Sequence, residues 1–432
     1  MNATQLAREL RESRGFGHKT DIAGVLSQLQ CALPLGQRAE DAGILLGDDC
    51  AAIPDGEGHL LFAIEGMVTD FIRAMPWFAG YSAVMVNISD IYAMGGRPTA
   101  VVDALWSKDL SSSAEVMKGM AAAAVAYGVP LVGGHSNARS DNAQLAVAIL
   151  GRAKRLLTSF AASPGQRLLM AVDLRGGFME PYPYWNASTS APAERLRGDL
   201  EVLPSLAEDA LCHAAKDISM AGPVGTALML MECSRVGGSI NIDAMPIPPG
   251  VPIKRWLAAF PSYGFVLAAD ADRTDEICAR FHARGISCAD VGELDASHTL
   301  RISYQGESAE VWDYGAAPFI LPSPSIENAL TEQEGRTMPV TYIHVRWSDQ
   351  REGRYYSPSS VVTEHFEIGA IYPVQEFLDR ARSALGEASE RVRRKYGYAC
   401  SAAQDQLQAI ENEATRFAGQ SGASVEFLGF DR

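Results

Sequence analysis

The sequence predicts an α+β protein of two to three domains, and three observations carry that prediction. A chain of 432 residues has room for two to three cores at about 150 residues each. Between 43 and 152, segments with a strand period of two alternate with segments of helical period. Two stretches then break the pattern: AKRLLTSFAASPGQ (153–166) and the proline- and serine-rich FILPSPSIENALTEQEGRT (319–337), which reads as a linker. The predicted domains are 1–155, 156–322 and 338–432.

Taken in order, Leu6, Leu10, Ile22, Val25, Leu26 and Leu29 sit at helical spacing, and Gly15-Phe16-Gly17 divides them into two short helices. ILLGDDCAAI (44–53) and HLLFAI (59–64) read as strands, YSAVMVNISDIYAM (81–94) as a helix and TAVVDALW (99–106) as a strand. A buried helix follows to Tyr127, then a turn and a strand VPLVGG (129–134), then QLAVAILG (144–151). This is a sheet with helices on one side. RLLMAVDL (167–174) restarts a strand, with helices near 201–215 and 223–236 and strands near 263–269 and 299–304. The third domain opens with strand-like VTYIHVRW and then turns helical. One stripe runs through Val374, Phe377, Leu378, Ala381, Leu385, Ala388 and Val392, another through Leu407, Ile410, Ala414 and Phe417. Ser401 and Gln404 form a capping-box pattern, so residues 397–400 make the bend.

Composition narrows the function classes. A net charge of −15 argues against a nucleic-acid surface. The N-terminus lacks the apolar core of a signal peptide, and the longest apolar stretch, 119–134, is too short for a bilayer of ~30 Å. Seven scattered cysteines without a CxxC fit a reducing cytoplasm rather than a disulfide framework or a zinc ribbon.

The chemistry-bearing cluster is Gly47-Asp48-Asp49, with Asp90 in NISDIYAMGG and Asp217 in AKDISMAG. Ionised aspartates are costly to bury without partners. Magnesium supplies such partners through oxygen ligands and bridges carboxylates to phosphates; loop positions and helix caps are the plainer reading. Gly133-Gly134 ahead of His135 allows backbone N–H groups to approach an anion, or makes a tight turn. The chain holds no GxxxxGK[ST], HExxH or GxSxG. In RGGFMEPYPYWNAS (175–188), Phe178, Tyr182, Tyr184 and Trp185 form either an aromatic wall for a small substrate or core packing. Arg391, Arg393, Arg394 and Lys395 make a solvated helix face or a docking surface. Nothing in the spacing orders His365, Tyr396 and Cys400 as a reactive group, and Cys400 reads as a small buried residue.

GDDCAAI (47–53), NISDIYAMGGRP (87–98), VPLVGGHSN (129–137), PGQRLLMAVDL (164–174) and AKDISMAG (215–222) occur in the order and spacing of the AIR synthase (PurM-like) superfamily. The resemblance covers roughly 1–320. More narrowly, the chain resembles AIR-synthase-related proteins of bacterial nitrilase gene clusters, and 338–432 resembles a nitrogen-starvation-response family from the same clusters. The resemblance implies a PurM-like two-domain ATP-binding fold whose first domain dimerises through its strands into a shared barrel. It implies ATP and Mg2+ near that interface, a small-molecule substrate, and partner enzymes of a nitrilase cluster. It places magnesium at Asp48, Asp49, Glu65, Asp90 and Asp217, the nucleotide at Gly47, Asn87, Gly133 and Gly134, and catalysis at Asp48, Asp49, Asp90 and His135.

Departures qualify the family pattern. Glu65 stands where thiamine-monophosphate kinase carries an aspartate, His135 replaces another aspartate, and LLGDD is stiffer than GIGDD. Selenophosphate synthetase is disfavoured because Cys31 falls in a predicted helix, and the hydrogenase-maturation reading lacks a terminal cysteine in FLGFDR. Two functions are expected from different classes: an Mg-ATP-dependent enzyme acting on an oxygen of a small substrate, or a nucleotide-binding regulator whose third domain contacts a partner.

Overall fold

The chain opens with helices α1 (Ala3–Arg11) and α2 (Arg14–Ala32). Asn2 starts α1 through a reciprocal cap: Gln5 N donates to Asn2 Oδ1 at 3.0 Å while Asn2 N donates to Gln5 Oε1 at 3.1 Å, which satisfies two orphan donors of the helix start. The break between helices falls at Glu12 and Ser13, before the expected glycine interruption. Gly15 lies inside α2, and a Cβ there would meet the Met220 carbonyl oxygen at 2.2 Å. That glycine marks close packing, not a turn. This computed structural model describes residues 2–32, 44–321, 341–357, 360–396, 401–417, 420 and 422–431, and it forms two compact units, Met1–Ser323 and Pro324–Arg432.

The first sheet contains β1 (Ala51–Asp55) and β2 (Gly58–Met67), followed by helices α3 (Thr69–Ala74) and α4 (Pro76–Ala93). Then come β3 (Arg97–Trp106), α5 (Leu110–Tyr127), β4 (Leu131–Asn137) and β5 (Gln144–Ala153), in sheet order β1-β2-β5-β3-β4. The strand expected over 44–53 is shorter, because 46–50 bend before β1. Helix α5 starts on an Asp109 cap and ends at Tyr127 with left-handed Gly128, as its sequence predicts. Strand alternation places Leu61, Val101 and Ile149 in the core shared with α4 and α5, while Phe62, Ile64, Val102 and Leu150 face outward and stay exposed. Helix α4 is buried on nearly every face, which explains why its sequence is apolar all round apart from a few small or polar residues such as Asn87 and Asp90.

The second half of this unit runs β6 (Arg167–Val172), β7 (Gly177–Phe178), β8 (Tyr184–Asn186), α6 (Ala193–Leu200), α7 (Val202–Glu208), β9 (Ala214–Asp217), α8 (Gly222–Ser234) and β10 (Gly237–Asn241). It continues through α9 (Ile253–Leu257), β11 (Phe260–Pro261), β12 (Gly264–Ala269), α10 (Thr274–His282), β13 (Ser287–Asp295), β14 (Thr299–Tyr304) and β15 (Glu307–Asp313). Seven strands form the sheet β15-β14-β10-β13-β6-β12-β9, and β11-β8-β7 form a small one. The helix expected near 201–215 is the shorter α7, preceded by the unexpected α6, and Ala214–Asp217 is an edge strand paired with β12. Its four residues are too few to show a period.

Strand β6 explains why the two sheets make one unit. Leu169 and Ala171 enter the core of the first sheet, whereas Leu168, Met170 and Val172 enter a second core under α8. A strand buried on both faces glues the layers together. Leu6, Leu10 and Phe16 also pack in the second core, so the N-terminal helices sit with the later sheet and not with the first one, contrary to the 1–155 boundary. Likewise, 319–321 are not linker. Phe319 and Ile320 are buried, and their N–H groups each donate to the Glu232 carboxylate at 2.7 Å. The remainder of the expected linker, 322–337, lies outside the described residues.

In the C-terminal unit, strands Thr341–Trp347, Glu352–Ser357, Ile371–Pro373 and Ser424–Asp431 form one antiparallel sheet, with helices Val374–Tyr396 and Ser401–Ala414. Three of these strands were not expected, because the helical stripes dominate the pattern. Both stripes do face the core: Phe377, Ala381, Leu385, Ile410 and Phe417 are buried against Ile343, Val345 and Phe427. The bend at 397–400 and the side chains of Val392, Ser401, Gln404 and the 391–395 basic run lie outside what the structure describes.

The Glu232 anchor sets a test. Glu232→Ala should lower unfolding free energy by about 2–4 kcal/mol in urea melts, since it strips charged partners from buried N–H groups. A chain ending at Ser325 should keep the wild-type midpoint, whereas one ending at Pro318 should lose it.

Candidate active site

Asp49 lies in the bend before β1, Asp90 in the last turn of α4, and Asp217 at the end of edge strand β9. The structure brings one carboxylate oxygen of each within 4.8 Å of the others. Asp217 N donates to Asp49 Oδ2 at 3.2 Å, and Lys216 Nζ stands 2.5 Å from Asp49 Oδ1. Asp90 Oδ2 is buried without a hydrogen-bond partner. Burial, together with Asp217, Glu65 and Asp49, pushes the Asp90 carboxyl well above its usual range. Burial and Asp49 do the same to Asp217, against the opposing pull of Lys216 and Lys19. Burial works against the Lys216 ammonium, but Asp49 and Asp48 outweigh it and hold its pKa above the ordinary value. An all-oxygen donor set with an orphaned, buried carboxylate oxygen fits a hard divalent cation such as magnesium.

Asp48 is not brought into this cluster. Its Oδ2 accepts from Thr158 Oγ1 at 2.5 Å and Ser159 N at 3.0 Å, and its Oδ1 accepts from Ser159 Oγ at 2.6 Å. With both oxygens committed, the carboxylate ties the bend to the segment leading into β6, which corrects its expected place among the metal ligands. Gly47 makes the bend possible: its φ is +119°, and a Cβ would meet Leu321 Cδ2 at 2.8 Å. Asn87, one turn before Asp90, is fully buried; its Nδ2 donates to Ala83 O at 2.7 Å and its Oδ1 has no partner. Glu65 of β2 keeps solvent access at the rim. Enclosure by the surrounding wall raises its carboxyl pKa against the pull of Lys19, and Asp49 adds to the rise.

Gly133, Gly134 and His135 are not at the cluster. They lie within β4, an edge of the first sheet separated from β2 by β5 and β3. The paired glycines are therefore strand residues next to a register shift opposite Val101 and Val102, not a phosphate-cradling turn of this chain. A Cβ on Gly134 would meet the Asp103 carboxylate at 2.4 Å. His135 is exposed, with its ring centroid 5.8 Å from that of Trp106.

The aromatic loop divides its roles. Trp185 is buried and its Nε1 donates to Asp173 O at 2.9 Å, whereas Tyr182 and Tyr184 stack at 5.2 Å beside Phe71. In the C-terminal unit His365 Nε2 lies 3.3 Å from Glu387 Oε2; Cys400 and the side chain of Tyr396 lie outside the described residues. Sequence reasoning missed Lys216 and Lys19. Lys216 carried a signal, being a lysine in a strand next to a candidate ligand. Lys19 carried none, because only the packing of Gly15 on Met220 brings α2 past the cluster.

An open five-stranded first sheet with helices on one side, packed through a common core against β6 and β12 of a seven-stranded second sheet, and an acidic cluster where they meet define a PurM-like two-domain fold. The chain belongs to the AIR synthase related protein family. The family's N-terminal domain matches residues 47–153 and its C-terminal domain 182–305, while residues 342–430 match the nitrogen starvation-induced protein NitG. An uncharacterized protein of Synechocystis sp. is 45% identical over 319 residues, 73% of this chain and 97% of that protein. A selenide, water dikinase of Citrifermentans bemidjiense is 27% identical over 237 residues, 50% of this chain and 66% of its own. T. maritima PurL complexed with ADP shares the fold with a TM-score of 0.54 at 15% identity, covering 88% of this chain and 74% of that chain. Among the described residues no helix is long and apolar enough to cross a membrane.

The raised carboxyls predict a pH dependence. When a folded-state carboxyl pKa exceeds its unfolded value, stability is lost as pH rises from the unfolded pKa through the folded one. Divalent cations bind the deprotonated form. Thermal melts should therefore show a larger stabilisation by MgCl2 at roughly pH 8 than at roughly pH 5.5; an equal or reversed difference would contradict the cluster. Asp48→Asn should cost about 1–3 kcal/mol of stability yet keep the magnesium response.

Proposed function

We propose that the first unit uses Mg-ATP to phosphorylate an oxygen of a small nitrogen-metabolism substrate, or to activate it as an acyl or imidoyl phosphate. The observation that carries this reading is the convergence of Asp49, Asp90 and Asp217 with a buried, unpartnered oxygen on Asp90. Magnesium there would neutralise charge on the β and γ phosphate oxygens. Asp49, Asp90 and Asp217 would hold it, with Glu65 at the rim. Lys216 fixes the Asp49 carboxylate, and Asn87 leaves one acceptor free beside Asp90. Relatives named as a dikinase, and PurL solved with ADP, support an ATP-using reaction.

In this reading the first sheet and its helices, within the expected 1–155 domain, hold the nucleotide and dimerise. The expected 156–322 domain, against which α1 and α2 pack, completes the site, and 338–432 form an accessory domain that meets partner enzymes of a nitrilase cluster in the cytoplasm. Dimerisation is supported by the outward face of the first sheet, where Phe62, Ile64, Val102 and Val132 are 41–65% exposed. A second copy is the occupant that also covers edge strands β1 and β4, bringing Gly133, Gly134 and His135 to an interface larger than ~1,000 Å². The regulator reading is favoured by one observation, the Lys216 ion pair that already engages Asp49.

Enzyme-coupled detection of ADP, with and without panels of small amides, carboxylates and amines, separates the two. The enzyme reading expects substrate-stimulated ADP release; tight Mg-ATP binding with no release under any addition supports the regulator. Asp90→Asn and Asp217→Asn should weaken Mg-ATP binding in calorimetry by at least about tenfold while leaving the fold intact. Light scattering should report a dimer at micromolar concentration and a monomer for Ile64→Lys; a wild-type monomer would remove the shared-barrel picture.

A further inference from the structure

Beside the acidic cluster the first unit holds an open-mouthed chamber with a cavity volume of about 90 Å³. Its walls are apolar: Met67, Phe71, Phe78, Met85, Tyr184 and Phe260 line it. Three positions connect it to the carboxylates. Val86 of the lining stands one helical turn before Asp90 on α4, Met220 stands three residues beyond Asp217, and Glu65 belongs to both chamber and rim.

The walls are preformed. The Phe71 ring meets Phe78 edge-on at 5.9 Å and Tyr184 at 4.8 Å, and Tyr184 meets Phe260 edge-on at 6.1 Å. Phe71 is 2% exposed and Phe78 4%, so these rings are held by the core behind them and little ordering is left for a ligand to induce.

Charge decides what the chamber accepts. Among its described lining residues Glu65 is the one charged side chain. A carboxylate or phosphate ester placed there would lose hydration and face Glu65, while the cations that act on Glu65, Lys19 and Lys216, are not among the residues that line the chamber and already serve the acidic cluster. The groove that continues outward past Val68, Tyr184 and Met220 does not change the sign, because Arg14 and Lys254 are matched by Glu9 and Asp70, and Lys254 Nζ is 3.1 Å from Glu9 Oε2. Polar orientation is available from the Ser82 and Ser262 side chains.

We propose that this chamber is the acceptor site, and that the acceptor is a small uncharged molecule with a flat or aliphatic apolar body, presenting a hydroxyl or amide oxygen toward the cluster. The inference rests on the phosphoryl-transfer reading and narrows its substrate class. A bond forms between that oxygen and the γ-phosphorus as the bond from phosphorus to the β–γ bridging oxygen breaks. The electron pair leaves on ADP, and the proton of a hydroxyl acceptor passes to solvent.

The test uses benzamide and benzoate, equal in shape and different in charge, titrated into full-length protein labelled with methyl-13C methionine. Met67, Met85 and Met220 line the chamber and are assigned by single Met→Leu substitutions. Benzamide should shift these methyls saturably, benzoate should bind at least about tenfold more weakly, and Glu65→Gln should narrow that gap. Tyr184→Ala, checked for fold by circular dichroism, should weaken benzamide. Benzoate binding as tightly as benzamide, or benzamide moving only methionines elsewhere, overturns the proposal. Calorimetry with Mg-ATP on the same samples keeps the two claims apart. Nucleotide binding without benzamide binding sinks the acceptor class alone, whereas benzamide in the chamber without nucleotide binding sinks the phosphoryl-transfer reading and the acceptor role with it.

Discussion

Carboxylates held within 4.8 Å of one another repel by about 3 kcal/mol per ionised pair at an effective dielectric near 20. A single hydrogen bond such as Asp217 N to Asp49 returns only about 1 kcal/mol. The cluster therefore persists because the rest of the unit forces it. Asp90 rides on a helix buried on nearly every face, Asp217 ends a strand fixed by β12, and Asp49 sits in a bend pinned by Asp48 on Ser159. Lys216 supplies one positive charge at the centre and Lys19 another at the edge. Protonation or a divalent cation supplies the remainder.

That scaffold is stiff because β6 and β12 of the second sheet pack into both cores. Alternate residues of β6 and β12 enter opposite cores, so displacing one sheet from the other would open both. The N-terminal helices close the second core through Phe16, whose ring lies 5.1 Å from Phe319, and Phe319 is held in turn by Glu232. Residues from the start of the chain and from beyond 318 thus bear on the same core, and α2 reaches the carboxylates only because Gly15 lets it lie against Met220.

Much of this was legible in the sequence. The apolar runs of α4 and β6, the end of α5 at Tyr127 and the alternation of β5 follow from local pattern, and Asp49, Asp90 and Asp217 stood out as ionisable residues costly to bury, with loop and cap positions as the plainer alternative. Asp48 looked identical to Asp49; what separates them is the hydroxyls of Thr158 and Ser159, 110 and 111 positions away. Gly133 and Gly134 carry the residue types of a turn, yet glycine in a strand also marks a register shift, and only strand pairing tells the two apart. Short strands such as Ala214–Asp217 and Ile371–Pro373 hold too few residues to display a period. The placement of α1 and α2 in the second core depends on contacts some 300 residues apart, such as Arg11 with Glu310, which local pattern does not encode.

The central claim is that Asp49, Asp90 and Asp217 form one divalent-cation site beside a nucleotide. Crystals grown with Mn2+ and a non-hydrolysable ATP analogue test it most directly through the anomalous difference map. The account predicts a manganese peak bounded by these three carboxylates with the phosphates of the analogue beside it. A map with manganese bound elsewhere, or with the nucleotide ordered and no metal between the three aspartates, would contradict it.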